Sequence, residues 1–262
     1  MREIAVVLAA LGLSLTGLLA QSGPALARSG GGSTAVAAYD VSYPQCGKRL
    51  PTGGTLAIVG VTDGLPWSTN PCLGSEYAWA ASRPSAQLYM NTANPETASS
   101  YWTQRAANGP KLCGTANLAD PSDLNCAYNY GWNSAADALT RATTAIGTAA
   151  TAHAWWLDVE TANSWNGTTG ANAQDLQGSI DKLRSVGVPG VGFYSTTYQW
   201  GVITGGWQAP VDTSGYPSDW VAGASNATQA TSWCAPSYAF SGGPVRLVQY
   251  PSGNLDGDVI CS

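Results

Sequence analysis

The sequence predicts an α/β fold: one TIM-type barrel, stapled by disulfides. Three observations carry this expectation. Eight short apolar runs recur along the chain, with helix-like segments between most of them, and strands that alternate with helices form mainly parallel sheets. Acidic residues stand at the C-terminal ends of several runs, the end at which barrel enzymes place their active sites. Six cysteines, an even number, follow an N-terminal segment of export type, a pattern that favours disulfides.

That segment comes first. Arg2 precedes an apolar run over 4–20, and Ala25-Leu26-Ala27 supplies a small-x-small cleavage signal. Residues 1–27 are expected to be a signal peptide. Residues 28–35, containing Ser29-Gly30-Gly31-Gly32-Ser33, read as a flexible leader, and 36–262 as the barrel domain. The apolar run is short for a membrane span and no later stretch approaches span length. The protein is therefore expected to be secreted, extracellular or cell-wall associated. The remaining length, about 235 residues, suits one large domain.

The expected strands are 37–41, 56–61, 86–91, 153–159, 188–194, 219–222, 245–250 and 255–260. Helices are expected over 76–82, from a cap at Asn133 or Ser134, from a cap at Asn172 to Gly187, and over 197–203. Little helix is expected among the last three strands. The stretch from Thr92 to Tyr130 carries two cysteines and is too long for an ordinary connection; it reads as an ordered wall beside the active face. Cysteines at 46, 72, 113, 126, 234 and 261 allow 15 pairings. Closeness along the chain favours Cys46–Cys72, Cys113–Cys126 and Cys234–Cys261.

Composition narrows the function. Charged residues are only 10% of the chain and the net charge is −5, against about a quarter charged in ordinary domains. There is no basic stripe, which argues against nucleic acid. His153, expected inside a strand, is the only histidine, and no Cys-x-x-Cys pair occurs, so neither a metal nor another cofactor is expected. Trp and Tyr number 11 and 12, against 2 Phe. Their flat faces with polar edges suit sugars, although an aromatic core would show the same composition.

The densest motif is Ala154-Trp155-Trp156-Leu157-Asp158-Val159-Glu160-Thr161. Alternation puts Asp158 and Glu160 on one face, with Cβ atoms roughly 6–7 Å apart. Close carboxylates do not ionise independently, which is a starting point for acid-assisted glycoside cleavage. Asp40 ends the first strand, and Asp256 and Asp258 sit in the eighth. Taken singly, each is better explained as a turn or capping residue than as a catalyst. Together they would ring a barrel mouth.

These residues resemble the family 25 glycoside hydrolases, the Chalaropsis-type lysozymes. The matching segments are Asp40-Val41-Ser42 with Gln45, Leu157-Asp158-Val159-Glu160-Thr161, Gly192-Phe193-Tyr194-Ser195, and Gln249-Tyr250 followed by Gly253-Asn254-Leu255-Asp256. The resemblance implies five β/α units closed by three further strands. It implies Glu160 as general acid, Asp158 orienting the substrate's acetamido group, and Asp40 and Asp256 positioning sugar and water. Tyr89, Tyr194, Gln249, Tyr250 and Asp258 become candidate substrate contacts. The implied activity is muramidase-like cleavage of β-1,4 bonds. The implied partner is peptidoglycan or another cell-wall polysaccharide; separately, no membrane contact is expected after signal cleavage, and a monomer is expected.

The chain departs from the family in its second, third and sixth strands: Val59-Gly60-Val61-Thr62, Tyr89-Met90-Asn91 and Trp220-Val221-Ala222-Gly223. Its Asp40-Val41-Ser42-Tyr43-Pro44-Gln45-Cys46 also resembles an exported actinobacterial subgroup. Two alternatives therefore stand beside the muramidase: a non-catalytic glycan-binding protein on the same barrel, and a hydrolase of another actinobacterial wall glycan. A serine hydrolase is disfavoured, since no Gly-x-Ser-x-Gly occurs.

Overall fold

A computed structural model describes residues 38–262; the expected signal peptide and leader lie outside the described residues. All eight expected strands form. They are β1 (Ala38–Val41), β2 (Leu56–Gly60), β3 (Ser85–Asn91), β4 (Trp155–Asp158), β5 (Val191–Ser195), β6 (Asp219–Val221), β7 (Val245–Ser252) and β8 (Leu255–Ile260). They close into a barrel in chain order. Consecutive strands from β1 to β7 pair in parallel, whereas β8 is antiparallel to both β7 and β1. The reversal follows from the connection. Ser252 and Leu255 pair directly, leaving Gly253-Asn254 as a two-residue loop with Gly253 at φ 68°. Such a loop joins only antiparallel strands.

The two faces of each strand have separate roles. Ala38, Leu56, Ile58, Trp156, Trp220 and Leu247 form a cluster with Tyr89 and Tyr194 packed against it. Outward residues such as Val41, Ala57, Val59, Leu88, Trp155, Leu157 and Phe193 join the helices in a larger core. β2 is buried along its whole length, as expected of a parallel strand covered on both sides. That is why its sequence, Leu56-Ala57-Ile58-Val59-Gly60, shows no polar alternation.

The helices are α1 (Leu73–Ala80), α2 (Trp102–Ala106), α3 (Leu124–Ile146), α4 (Ala149–Ala152), α5 (Thr169–Ser185), α6 (Thr197–Thr204) and α7 (Ala227–Ser232). Four expectations are corrected. α3 starts well before Asn133. Its cap is Asp123, whose side chain accepts from the Cys126 amide at 2.8 Å. Asn133 lies within the helix and spends its side-chain amide on the Arg105 carbonyl at 2.7 Å. Asn172 is likewise internal: Thr168 caps α5, and Asn172 donates to the Ile203 carbonyl at 2.9 Å. Both asparagines hold neighbouring segments rather than a helix start. α7 is a true helix between β6 and β7. His153 lies ahead of β4, half-buried against the Tyr77 hydroxyl at 2.8 Å.

The three disulfides join Cys46 to Cys72, Cys113 to Cys126 and Cys234 to Cys261, the pairings that closeness along the chain favours. The long stretch after β3 is ordered. It contains α2, two 3-10 turns and its own core of Trp102, Ala106, Cys113, Leu118, Cys126 and Tyr130. Asn94 pairs with Trp165, tying this wall to the loop after β4.

Candidate active site

A pocket of about 100 Å³ opens among the inward side chains of the barrel, lined by Asp40, Tyr89, Asp158, Glu160, Tyr194 and Trp220. The parity of the strands puts these residues together. Across β3, β4, β5 and β6 the register runs Asn91 to Asp158, Asp158 to Tyr194 and Tyr194 to Trp220. Asp40 is level with Asp256 on β8. Two glycines make room below. A Cβ on Gly192 would lie 2.4 Å from the Trp156 ring, and one on Gly60 would lie 2.7 Å from the Tyr89 ring. The Trp220 ring centroid sits 4.6 Å from Tyr194, 5.8 Å from Trp156 and 6.2 Å from Tyr89, which gives the pocket an aromatic floor.

The carboxyl groups fall into two pairs, each with a buried inner acid and an outer acid on the pocket. In the first, Asp158 is buried and accepts a hydrogen bond from the Asn91 amide. Its Oδ1 has no ordinary donor. Burial, then the negative charge of Glu160, raise Asp158 well above the usual carboxylate range. A protonated Asp158 supplies the missing partner by donating to Glu160, which two ionised carboxylates could not do. Asn91 is itself fixed by the Thr62 hydroxyl, which donates to its Oδ1 at 2.8 Å.

In the second pair, Asp258 is fully buried and accepts from the Trp220 indole at 2.7 Å. Its Oδ2 has no ordinary donor. Burial, then Asp40, raise it well above the usual range; its proton is shared with Asp40. Asp40 is pushed up to about 7 by burial and by Asp256, while the Gln249 amide, donating to its Oδ2 at 3.0 Å, pulls the other way. The Tyr194 hydroxyl donates to the Gln249 Oε1 at 2.7 Å. Burial raises the Tyr89 and Tyr194 phenols well above their usual value, so both remain hydrogen-bond donors.

Of the residues singled out from sequence, Asp40, Asp158, Glu160, Tyr89 and Tyr194 line the pocket, and Gln249 bonds two of them. Asp256 is half-buried beside Asp40, and burial raises it too. Two expected contacts are corrected. Asp258 is sealed beneath Asp40 and does not reach the opening. Tyr250 points outward into the helix-side core, because it follows inward Gln249 by one residue and strand side chains alternate. Trp220 and Asn91 were missed as site residues. The period-two rule applied from Tyr89 would have found Asn91.

The fold and site define a class: a closed α/β barrel with an acid-lined pocket between the inward faces of its strands. Comparison with known proteins places this barrel. A family model described as "Lysozyme-like protein 1" matches residues 125–220, a segment that holds Asp158, Glu160, Tyr194 and Trp220. The fold is similar to that of a muramidase from Trichobolus zukalii, with 15% identity over 86% of this chain and 93% of that one, at a TM-score of 0.54. It is also similar to the lysozyme from Streptomyces coelicolor, with 17% identity over 88% and 94%, at 0.53. The catalytic domain of endolysin ply40 from bacteriophage P40 of Listeria monocytogenes aligns with 15% identity over 88% and 95%, at 0.50. No curated protein sequence matches the chain. These likenesses concern the fold: the barrel is similar to those of the muramidase, lysozyme and endolysin domain named above.

Proposed function

We propose that this chain is an exported glycoside hydrolase that cleaves β-1,4 bonds of peptidoglycan in muramidase fashion. The observation that carries the reading is the Asp158–Glu160 pair, a buried proton reservoir beside an outer carboxyl facing an aromatic pocket. In the resting pair the proton sits between the two acids. A substrate acetamido N–H hydrogen-bonded to Asp158 favours its ionised form and leaves the proton on Glu160. Glu160 then protonates the leaving oxygen while the acetamido oxygen attacks the anomeric carbon, the substrate-assisted variant of glycoside cleavage. Asp40 and Asp256 position the sugar and the attacking water, with Tyr89, Tyr194 and Gln249 on the sugar hydroxyls. Residues 1–27 direct export, and the three disulfides suit an oxidising compartment.

The test is to incubate the purified protein with cell walls and follow turbidity and new reducing ends. Activity in the wild type and its loss in Glu160→Gln, with circular dichroism unchanged, is the expected result. No release from any acetamido-sugar polymer would refute the reading.

One observation favours a second reading, a non-hydrolytic glycan-binding barrel. The pocket, at about 100 Å³, is below the ~300 Å³ at which small-molecule sites begin. This reading predicts wall pull-down without cleavage, insensitive to Glu160→Gln.

A further inference from the structure

A second cavity lies away from the barrel pocket. It is a groove of about 560 Å³ between α2, α3 and the loop after β2, lined by Trp67, Gln104, Arg105, Asn108, Asp137 and Arg141 among others. That volume falls within the ~300–1,000 Å³ of ligand sites. In a chain with only 11 basic residues, two of them line this one groove.

The two arginines differ. Arg141 is committed to Asp137, to which its guanidinium donates at 2.5 and 3.1 Å, so that pair adds no net charge. Arg105 is in neither of the two ion pairs found among the described residues. Its guanidinium carbon lies 4.3 Å from the Trp67 ring centroid and 4.7 Å from that of Tyr101. Aromatic contact of this kind holds the plane of an arginine; one part of the guanidinium bonds the Tyr130 hydroxyl, and the N–H groups beyond that bond can form a forked pair.

Trp67 is fixed at a cost to the backbone. Its φ is +66°, a left-handed conformation that a bulky residue adopts only when its surroundings impose it. Its indole donates to the Tyr130 hydroxyl at 3.0 Å, which holds the ring under Arg105. The exposed amides of Gln104 and Asn108 border the same groove and offer both donors and acceptors.

We propose that this groove is a second binding site, which takes a carboxylate carried on a hydroxyl- and amide-rich wall saccharide. The carboxylate meets the Arg105 fork in bidentate geometry, and Gln104 and Asn108 bind the neutral groups beside it. The choice of a wall polymer rests on the function proposed above; the carboxylate preference rests on Arg105 alone.

The test uses the full chain and the indole N–H resonance of Trp67, read by NMR during titration. The probes are N-acetylmuramic acid, N-acetylglucosamine, which lacks the carboxylate, and glycerol 3-phosphate. The expected result is a Trp67 shift with at least tenfold tighter binding of N-acetylmuramic acid than of either other probe. Arg105→Gln should erase that preference, Arg105→Lys should recover only part of it, and Asn108→Ala should weaken binding about threefold. Equal response to the two sugars, a preference surviving in Arg105→Gln, or tighter binding of glycerol 3-phosphate would overturn the proposal, the last pointing to a phosphate polymer instead. Should Arg105→Gln fail to fold, the wild-type discrimination and Asn108→Ala still decide. Glu160→Gln should leave the Trp67 response unchanged, so failure of the hydrolase reading and failure of this one remain distinguishable.

Discussion

The two carboxyl pairs of the barrel share one plan and differ in their surroundings. In each, an inner aspartate accepts one N–H bond and shares its own proton with an outer carboxyl on the pocket. Asp158 takes its bond from Asn91 and faces Glu160; Asp258 takes its bond from Trp220 and faces Asp40. The outer members part company. Asp40 lies within a strand, 8% exposed, with Asp256 beside it and Gln249 bonded to it. Glu160 lies just past the end of β4, half-exposed, with its carbonyl held by the Trp165 indole at 2.9 Å. In the proposed reading the enclosed acid holds charge and water in place, and the acid at the strand end reaches the scissile bond. What the structure itself separates is how far each extends from the barrel wall.

The largest effects should separate the outer acids. Glu160→Gln should lower wall hydrolysis by ~10³-fold, within the usual range for removal of a general acid. Asp40→Asn should cost less, about 10²-fold, because it leaves the proton donor intact. Initial rates on a soluble acetamido-sugar oligomer check the ranking, and an equal loss would erase the distinction between the pairs.

A smaller effect concerns pH. Burial, and then the negative charge of Asp256, push Asp40 up to about 7. Its protonated form therefore persists toward neutrality, and a limb of the rate profile that reports Asp40 should lie near there. Asp256→Asn removes a negative neighbour, lowers the pKa of Asp40 and should move that limb to more acid pH. A limb that stays in place, or moves upward, contradicts the assignment.

Smaller still is the change at the inner acid of the second pair. Asp258→Asn can still accept from Trp220 and donate to Asp40, so denaturant unfolding should show little change in stability. Asp258→Ala strands the buried indole N–H and should cost about 1–3 kcal/mol. Outside both pairs, Glu96 gives a contrast. It is buried, and burial raises it from 4.5 to about 7 against the weaker opposing pull of the Asn94 side chain. Because the folded state holds that proton more tightly than the unfolded chain, stability should fall as pH rises from about 4.5 to 7 and then level off. Glu96→Gln should flatten that part of the melting-temperature profile.

Much of this was legible in the residues. Apolar runs of strand length and alternating parity located eight strands and assigned Asp158 and Glu160 to one face, since both signals are local to the chain. Helix starts were less legible. Asn133 and Asn172 have the side chains of caps, but each is used by a segment remote in sequence, and nothing local reveals that. Tyr250 was misplaced for want of applying parity from Gln249.

The positions of the strands, the shared face of Asp158 and Glu160 and a preference among the cysteine pairings follow from the sequence, through periodicity and short spacing. Which acids keep their protons does not. That depends on depth: Asp258 and Asp256 lie two residues apart on one strand, yet one is sealed under Trp220 and the other borders solvent. Desolvation acts through what packs overhead, and only the closed barrel supplies it.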